Sequence, residues 1–152
     1  MFWIKLFKNK SIYLILFVIL TIVGISSAYY YQQKSSNLQE SIDLEFVAQL
    51  SRLDRQLDKS NPDSISQNLY VLQNYSSKAN TLSKFTSYYA IQTEINTFTN
   101  LLENFFANYL AENKNMNNDQ FQQLTSGLDQ LIKDPDNSDL IQKLNEIIIK
   151  VQ

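Results

Sequence analysis

The chain has 152 residues, of which 44% are hydrophobic, and a formal net charge of −2. It contains neither cysteine nor histidine, which excludes disulfides, thiolate nucleophiles, zinc sites built on those residues, and catalysis by a Ser-His or Cys-His pair. We therefore expect no cofactor and no resident metal ion, and an enzyme would depend on carboxylates alone.

The charges are distributed unevenly along the chain. Before Glu40 the only charged side chains are four lysines: Lys5, Lys8, Lys10 and Lys34. Residues 35–152 carry nine Lys and Arg against all fifteen Asp and Glu, a net charge of −6. A domain of that sign lacks the basic surface that binds nucleic-acid phosphates or anionic lipids, so we expect no nucleic-acid partner.

The first predicted element is a membrane-spanning helix at residues 11–33, which carry no charge. Crossing the roughly 30 Å hydrocarbon layer takes about 20 apolar helical residues, and residues 12–31 supply them. Lysines are enriched on the cytoplasmic side of a span. The short basic tail at residues 1–10 therefore predicts a cytoplasmic N-terminus, and it places residues 34–152 outside the cytoplasm. The lipid bilayer is the first expected partner.

The end of this segment allows two interpretations. Ser26 and Ala28 have the small side chains of a signal-peptidase site, which predicts cleavage after Ala28 and a secreted product. Alternatively, the segment is an uncleaved signal anchor, in which aromatic residues mark the two membrane interfaces. These would be Trp3 and Phe7 inside, and Tyr29, Tyr30 and Tyr31 outside. We favour the anchor, because three bulky aromatic residues directly after Ala28 make cleavage there less favourable and complete a full span.

After the span, apolar residues recur at helical spacing and predict an all-α fold, an extracytoplasmic bundle of four or five helices. The first helix is expected at residues 38–59, with a buried stripe that includes Phe46 and Leu50. Asn61 suits an N-cap and Pro62 the first position of the next helix. The following stretch, residues 63–112, has no glycine or proline. We expect it to break or bend near residues 76–90.

The last part of the chain predicts a polar loop and two further helices. The loop is expected at residues 112–120, and the helices at residues 119–132 and 135–151. Asp134 and Pro135 repeat the Asn-Pro arrangement seen earlier in the chain, so we predict that Asp134 caps the last helix and that Pro135 is its first residue.

One aromatic cluster is the candidate interaction site or apolar pocket: Phe85, Tyr88, Tyr89, Phe98, Phe105, Phe106 and Tyr109. Its spacing equally fits an ordinary core. Adjacent residues on a helix point in different directions, so we expect that Phe105 and Phe106 do not both point inward equally, which leaves room for one exposed contact. The apolar stripe from Ile91 to Tyr109 serves an intramolecular core or a homo-oligomer equally well.

The leading hypothesis is a non-enzymatic, membrane-anchored interaction or sensing module on the outer face of the cytoplasmic membrane, acting through a partner protein of the envelope. The alternative is a soluble helical binder or immunity-type factor, secreted after cleavage at Ala28. An enzyme is disfavoured, because no pair of carboxylates is singled out by its spacing. The frequent asparagine and lysine are typical of a small envelope protein of a low-GC Gram-positive bacterium.

Overall fold

A computed structural model describes the backbone of residues 2–112 and 116–151, and the side chains from Tyr13 onward within those ranges except that of Asp63. Trp3 and Phe7, the expected aromatic residues of the inner interface, lie outside the described side chains. Six α-helices and one short 3-10 turn form these ranges, which contain no strand. The predicted all-α class is thus confirmed.

In chain order, the elements are α1 (Phe2–Asp58), a 3-10 turn (Pro62–Ser64), α2 (Ile65–Ser83), α3 (Ser87–Ile91), α4 (Glu94–Asn108), α5 (Asn118–Lys133) and α6 (Ser138–Val151). The chain divides into two compact units, Met1–Leu38 and Gln39–Gln152. The boundary falls inside α1. The predicted helix start at residue 38 was therefore wrong, because no glycine or proline interrupts the chain between Gly24 and Pro62.

The first unit is the N-terminal part of α1. Its apolar side chains from Tyr13 to Ile25 are exposed, and the most apolar 18-residue window of the helix has no buried residue. Thr21 is a polar residue in this apolar stretch, but its hydroxyl donates to the carbonyl oxygen of Phe17 at 2.8 Å, so the hydroxyl proton is not left unpaired. Among the described residues this is the one helix long and apolar enough to cross a membrane, as the sequence predicted.

The second unit buries its apolar residues in one core. The C-terminal part of α1 contributes a fully buried stripe at the predicted spacing: Phe46, Leu50, Leu53 and Leu57. Each of the other long helices adds a stripe of its own. α4 packs against α2 and α6, and α5 packs against α6, so α4 has neighbours on more than one side. Burial of these side chains is the main stabilising contribution in such a bundle.

The turn after α1 forms through side-chain capping. Asn61 Oδ1 accepts from the backbone N–H of Ser64 at 2.8 Å, and Ser64 Oγ accepts from the N–H of Asn61 at 2.8 Å. This reciprocal capping box satisfies two N–H groups that lack intrahelical partners. Pro62 occupies the first position, where its missing N–H costs nothing. The predicted cap and proline are confirmed, and a 3-10 turn leads into α2.

The expected break near residues 76–90 is confirmed. α2 ends at Ser83, and the chain continues through the short helix α3 before α4 begins at Glu94. Thr86 starts α3, because its hydroxyl oxygen accepts from the N–H of Tyr89 at 3.2 Å.

A polar network that the sequence analysis missed holds α2 against α4. Asn80 Nδ2 donates to Glu103 Oε2 at 2.6 Å, while Asn80 Oδ1 accepts from Asn96 Nδ2 at 3.1 Å and from Thr99 Oγ1 at 3.2 Å. Asn96 Nδ2 also donates to the buried Ser83 Oγ at 2.8 Å. Buried polar groups must be paired, so this network fixes the register of the two antiparallel helices.

The predicted cap of the last helix was wrong. Asp134 ends α5, and its carbonyl oxygen accepts from the N–H of Asn137 at 3.3 Å, so that residues 134–137 form a turn with Pro135 in its second position. Asn137 instead caps α6, since its Oδ1 accepts from the N–H of Leu140 at 3.0 Å. The start of α5 has a capping box between Asn117 and Gln120.

Asp54 is a buried carboxylate in the second unit. Its side chain lies on α1 among core residues, is 9% exposed, and its Oδ1 has no hydrogen-bond partner among the described residues. Burial, with the negative charges of Asp58 and Asp129 adding to it, raises the pKa of Asp54 to about 6, although Lys133 and Arg55 oppose the shift. The folded state is therefore penalised when this group is ionised.

We predict that Asp54→Asn stabilises the protein at neutral pH. The folded-state pKa lies above the unfolded value, so wild-type stability falls as pH rises from about 4 to about 6 and stays lower above that range. The shift corresponds to at most about 3 kcal/mol, and partial solvent access reduces the expected gain to about 1–2 kcal/mol. Urea unfolding at several pH values measures it.

The control variant is Asp58→Asn, which removes a neighbouring negative charge but leaves Asp54 buried. It should recover only a small part of the gain. A benefit of Asp54→Asn that is as large at pH 4 as at pH 7.5 would contradict this assignment.

Candidate functional site

The aromatic cluster does not form a single surface. Phe98, Phe105 and Phe106 are fully buried, and Tyr109 is almost so. Tyr88 and Tyr89 are partly buried against the core, and Tyr88 packs on Phe46 with ring centroids 6.0 Å apart. Only Phe85 is exposed. Most of the predicted pocket is therefore core, which is the alternative that the spacing also allowed.

The expectation that Phe105 and Phe106 do not both point inward was wrong. Both side chains have 0% exposure, and their rings meet edge to face with centroids 5.1 Å apart. Tertiary packing is the reason: α2 and α6 both cover α4, so that α4 has two buried faces. The apolar stripe that begins at Ile91 likewise faces the core within α4, whereas Ile91 itself ends α3 and is exposed.

The connection between α2 and α3 is fixed to the beginning of the second unit. The carboxylate of Asp43 accepts from the N–H and the hydroxyl of Ser87, at 2.8 and 2.6 Å. Gln39 Nε2 donates to the carbonyl oxygen of Phe85 at 2.8 Å. Burial, with the charges of Asp43 and Asp136 adding to it, raises the pKa of the neighbouring Tyr88 phenol. The bonds from Gln39 and Asp43 thus tie the backbone at Phe85 and Ser87 to α1.

The expected outer-interface residues lie on α1. Tyr29, Tyr30 and Tyr31 are all exposed, and the rings of Tyr30 and Tyr31 meet edge to face at 5.9 Å. Ala28, the candidate cleavage residue, is exposed one position earlier. Both the aromatic belt and the cleavage site stay predictions.

A groove of about 370 Å³ runs between α5 and α6. It is lined by Gln123, Ser126, Gly127, Gln130, Leu140, Lys143, Leu144, Glu146, Ile147 and Lys150. We call this surface the α5–α6 groove. It presents two lysines and one glutamate in a part of the chain whose net charge is −6. Apolar side chains between charged ones are typical of a surface that receives a helix.

Gly127 lets α5 and α6 approach closely at this groove. A Cβ atom added at Gly127 would lie 2.5 Å from Leu144 Cδ2 and 3.2 Å from Leu144 Cγ. Leu144 is buried, so its side chain has little room to move aside.

We predict that Gly127→Ala lowers the free energy of unfolding by about 1 kcal/mol, because the cost of overpacking, about 1–3 kcal/mol, exceeds the gain in helix propensity of about 1 kcal/mol. Ser126→Ala is the matched control on the exposed face of the same turn, and it should be neutral or slightly stabilising. Urea unfolding of both variants measures the difference, and a Gly127→Ala variant more stable than wild type would contradict the close packing.

A second cleft, between α1 and α2, is polar. Glu45 Oε1 accepts from Gln49 and forms an ion pair with Arg52 at 3.1 Å. The hydrogen bond from Gln49 and the positive charge of Arg52 lower the pKa of Glu45. Because both members of the ion pair are about half exposed, the pair adds little to stability. Lys78 adds a second positive charge to this cleft, and no group in it singles out a ligand.

Within the described ranges, no three Asp or Glu side chains come close enough to hold a metal ion together. Comparison with known proteins gave no relative, since no family model, no curated protein and no solved structure matches the chain. Any function must therefore be argued from the membrane-length helix, the α5–α6 groove and the exposed connection after α2.

Proposed function

We propose that this protein is a membrane-anchored, non-enzymatic interaction module on the outer face of the cytoplasmic membrane. The observation that carries the proposal is the exposed apolar stretch of α1, which no other described residue covers. Exposed apolar surface of this extent is very costly in water, whereas it matches the hydrocarbon layer of a bilayer. The lysines at the N-terminus favour a cytoplasmic start.

The partner is an envelope protein that places an amphipathic, acidic helix in the α5–α6 groove. The apolar surface of Leu140 and Ile147 supplies the buried contact, and Lys143 and Lys150 flank it on one helix face at a spacing of two turns. These two cations outnumber Glu146 in the groove and favour a partner with carboxylates at the same spacing.

In-cell photo-crosslinking tests this function. A photoreactive amino acid replaces Gln130 in the groove of the full-length protein, and the adducts are identified by mass spectrometry. The proposal expects one dominant envelope protein, and it expects the double variant Lys143→Glu with Lys150→Glu to reduce the adduct about tenfold, because facing like charges disfavour binding. Lys78→Glu, on the polar cleft, is the charge-change control. Absence of a specific adduct would refute the groove as the partner site.

The secreted alternative has one observation in its favour, the small residues Ser26 and Ala28 at the end of the apolar stretch. It requires a mature product that begins at Tyr29 and is recovered from the medium. The soluble product would use the same groove. The two proposals are therefore distinguished by whether the protein is found in the membrane or in the medium.

A further inference from the structure

The connection between α2 and α4 carries two large apolar side chains that the core does not take up. Phe85 is 63% exposed and Ile91 is 69% exposed, and Lys84 precedes Phe85 on the exposed side of the same connection. We call Phe85 and Ile91 the apolar pair. Single exposed apolar residues are common, and what distinguishes this pair is its position beside the first residues of the second unit.

The apolar pair is held beside the first residues of the second unit. Gln39 bonds to the carbonyl oxygen of Phe85, and Asp43 bonds to the backbone and side chain of Ser87, each at 2.8 Å or less. Ser87 begins α3, which ends at Ile91. The bonds to α1 therefore fix the start of the segment that carries the pair, and Ile91 follows four residues later at the end of α3.

Chain length keeps this segment close to the membrane. Gln39 follows the last uncharged residue of the proposed span, Gln33, by six positions. Six residues reach at most roughly 20 Å when fully extended and about 9 Å when helical. The headgroup region is itself about 5–8 Å deep on each side. Phe85, bonded directly to Gln39, is therefore within reach of the outer interface.

We infer that Phe85 and Ile91 insert into the boundary between headgroups and acyl chains of the outer leaflet, as a second membrane contact of the helical domain. This inference rests on the proposed anchor. Aromatic and aliphatic side chains suit this depth. Asp43 does not depend on water for its hydrogen bonds, because both of its carboxylate oxygens accept from Ser87 or Gln39. A tethered contact needs little intrinsic affinity, since the anchor supplies a high effective concentration of lipid.

The contact orients the domain on the membrane. With the connection after α2 fixed at the lipid surface, the domain cannot rotate freely about its tether. Partner helices then meet the α5–α6 groove in one orientation, which reduces the entropic cost of binding.

Site-specific fluorophores in the full-length protein test the inference. The chain contains no cysteine, so Leu20→Cys, Tyr70→Cys, Phe85→Cys and Ile91→Cys each create one labelling position. Tyr70 is the matched control, because it is an exposed aromatic residue on α2, 83% exposed, and separated from the end of that helix by roughly 20 Å. Each labelled protein is reconstituted into phosphatidylcholine vesicles and quenched by lipid-attached nitroxide or by aqueous iodide.

Positions 85 and 91 should be quenched by the lipid nitroxide about threefold or more strongly than position 70, because the label then sits about 5–10 Å into the interface. Phe85→Ser should reduce the lipid quenching measured at position 91. Position 20 reports the anchor alone.

Lipid quenching at position 20 with iodide quenching at positions 85 and 91 would overturn the second contact and leave the anchor intact. Shielding of positions 85 and 91 from both quenchers would also overturn it, since protein rather than lipid would then cover the pair. Iodide quenching at position 20 would refute the anchor and the inference together.

Discussion

Replacing Phe106 with alanine lowers the free energy of unfolding by about 3–5 kcal/mol, the usual cost of removing a large aromatic side chain from a packed core. Phe106 has 0% exposure, lies in the last turn of α4 and contacts Phe105. Domains of this size are stable by about 5–15 kcal/mol, so the variant should be close to unfolding at physiological temperature. Urea unfolding in mild detergent, followed by near-ultraviolet circular dichroism, measures the change.

Phe85→Ala is the matched control for Phe106→Ala. It removes the same ring from an exposed position and should change stability by about 0.5 kcal/mol or less. If Phe106→Ala lowered the free energy of unfolding as little as Phe85→Ala does, Phe106 would be exposed. The packing of α4 against both α2 and α6 would then be wrong.

Two arginines in the apolar stretch, Leu16→Arg with Leu20→Arg, should remove most of the protein from the membrane fraction. Each arginine near the middle of a span costs about 2.5–3.5 kcal/mol in membrane insertion, and the pair therefore costs about 6 kcal/mol. Both leucines are exposed in α1, so their replacement leaves the core of the second unit intact. Quantitative immunoblotting of membrane and soluble fractions measures the redistribution.

The control for the arginine pair is Tyr70→Arg with Ile149→Arg. It adds the same two positive charges, at two exposed apolar residues of the second unit. This variant should stay in the membrane fraction. An unchanged distribution of the Leu16→Arg, Leu20→Arg variant would mean that the apolar stretch does not hold the protein in the membrane.

Periodicity predicted the helices well where each helix presents one apolar stripe to the core. α5 and α6 have clear stripes, and the observed end of α5 at Lys133 lies one residue from the expected end. The α1 stripe from Phe46 to Leu57 is buried as expected. Periodicity could not reveal that α4 has two buried faces, because that depends on which helices pack around it. It therefore could not show that Phe105 and Phe106 are both buried.

Local motifs were ambiguous where two caps compete. Asn61-Pro62 and Asp134-Pro135 look alike in sequence, yet only the first begins a helical turn with its proline. Asp134 already ends α5, and Asn137 is better placed to cap α6. The network around Asn80 was also invisible, because polar residues on a helix indicate a surface until a neighbouring helix covers them. Of the candidate interaction residues, Phe85 alone is exposed, and its bond to Gln39 joins residues 46 positions apart.

The most direct test of the account is fractionation combined with intact-mass analysis of the protein expressed in a Gram-positive bacterium. A permanent anchor predicts the full-length chain, 17.7 kDa, in the membrane fraction and resistant to extraction with alkaline carbonate. A shorter product that begins at Tyr29 and is found in the medium would contradict the anchor and establish cleavage after Ala28. Full-length protein in the soluble fraction would contradict both.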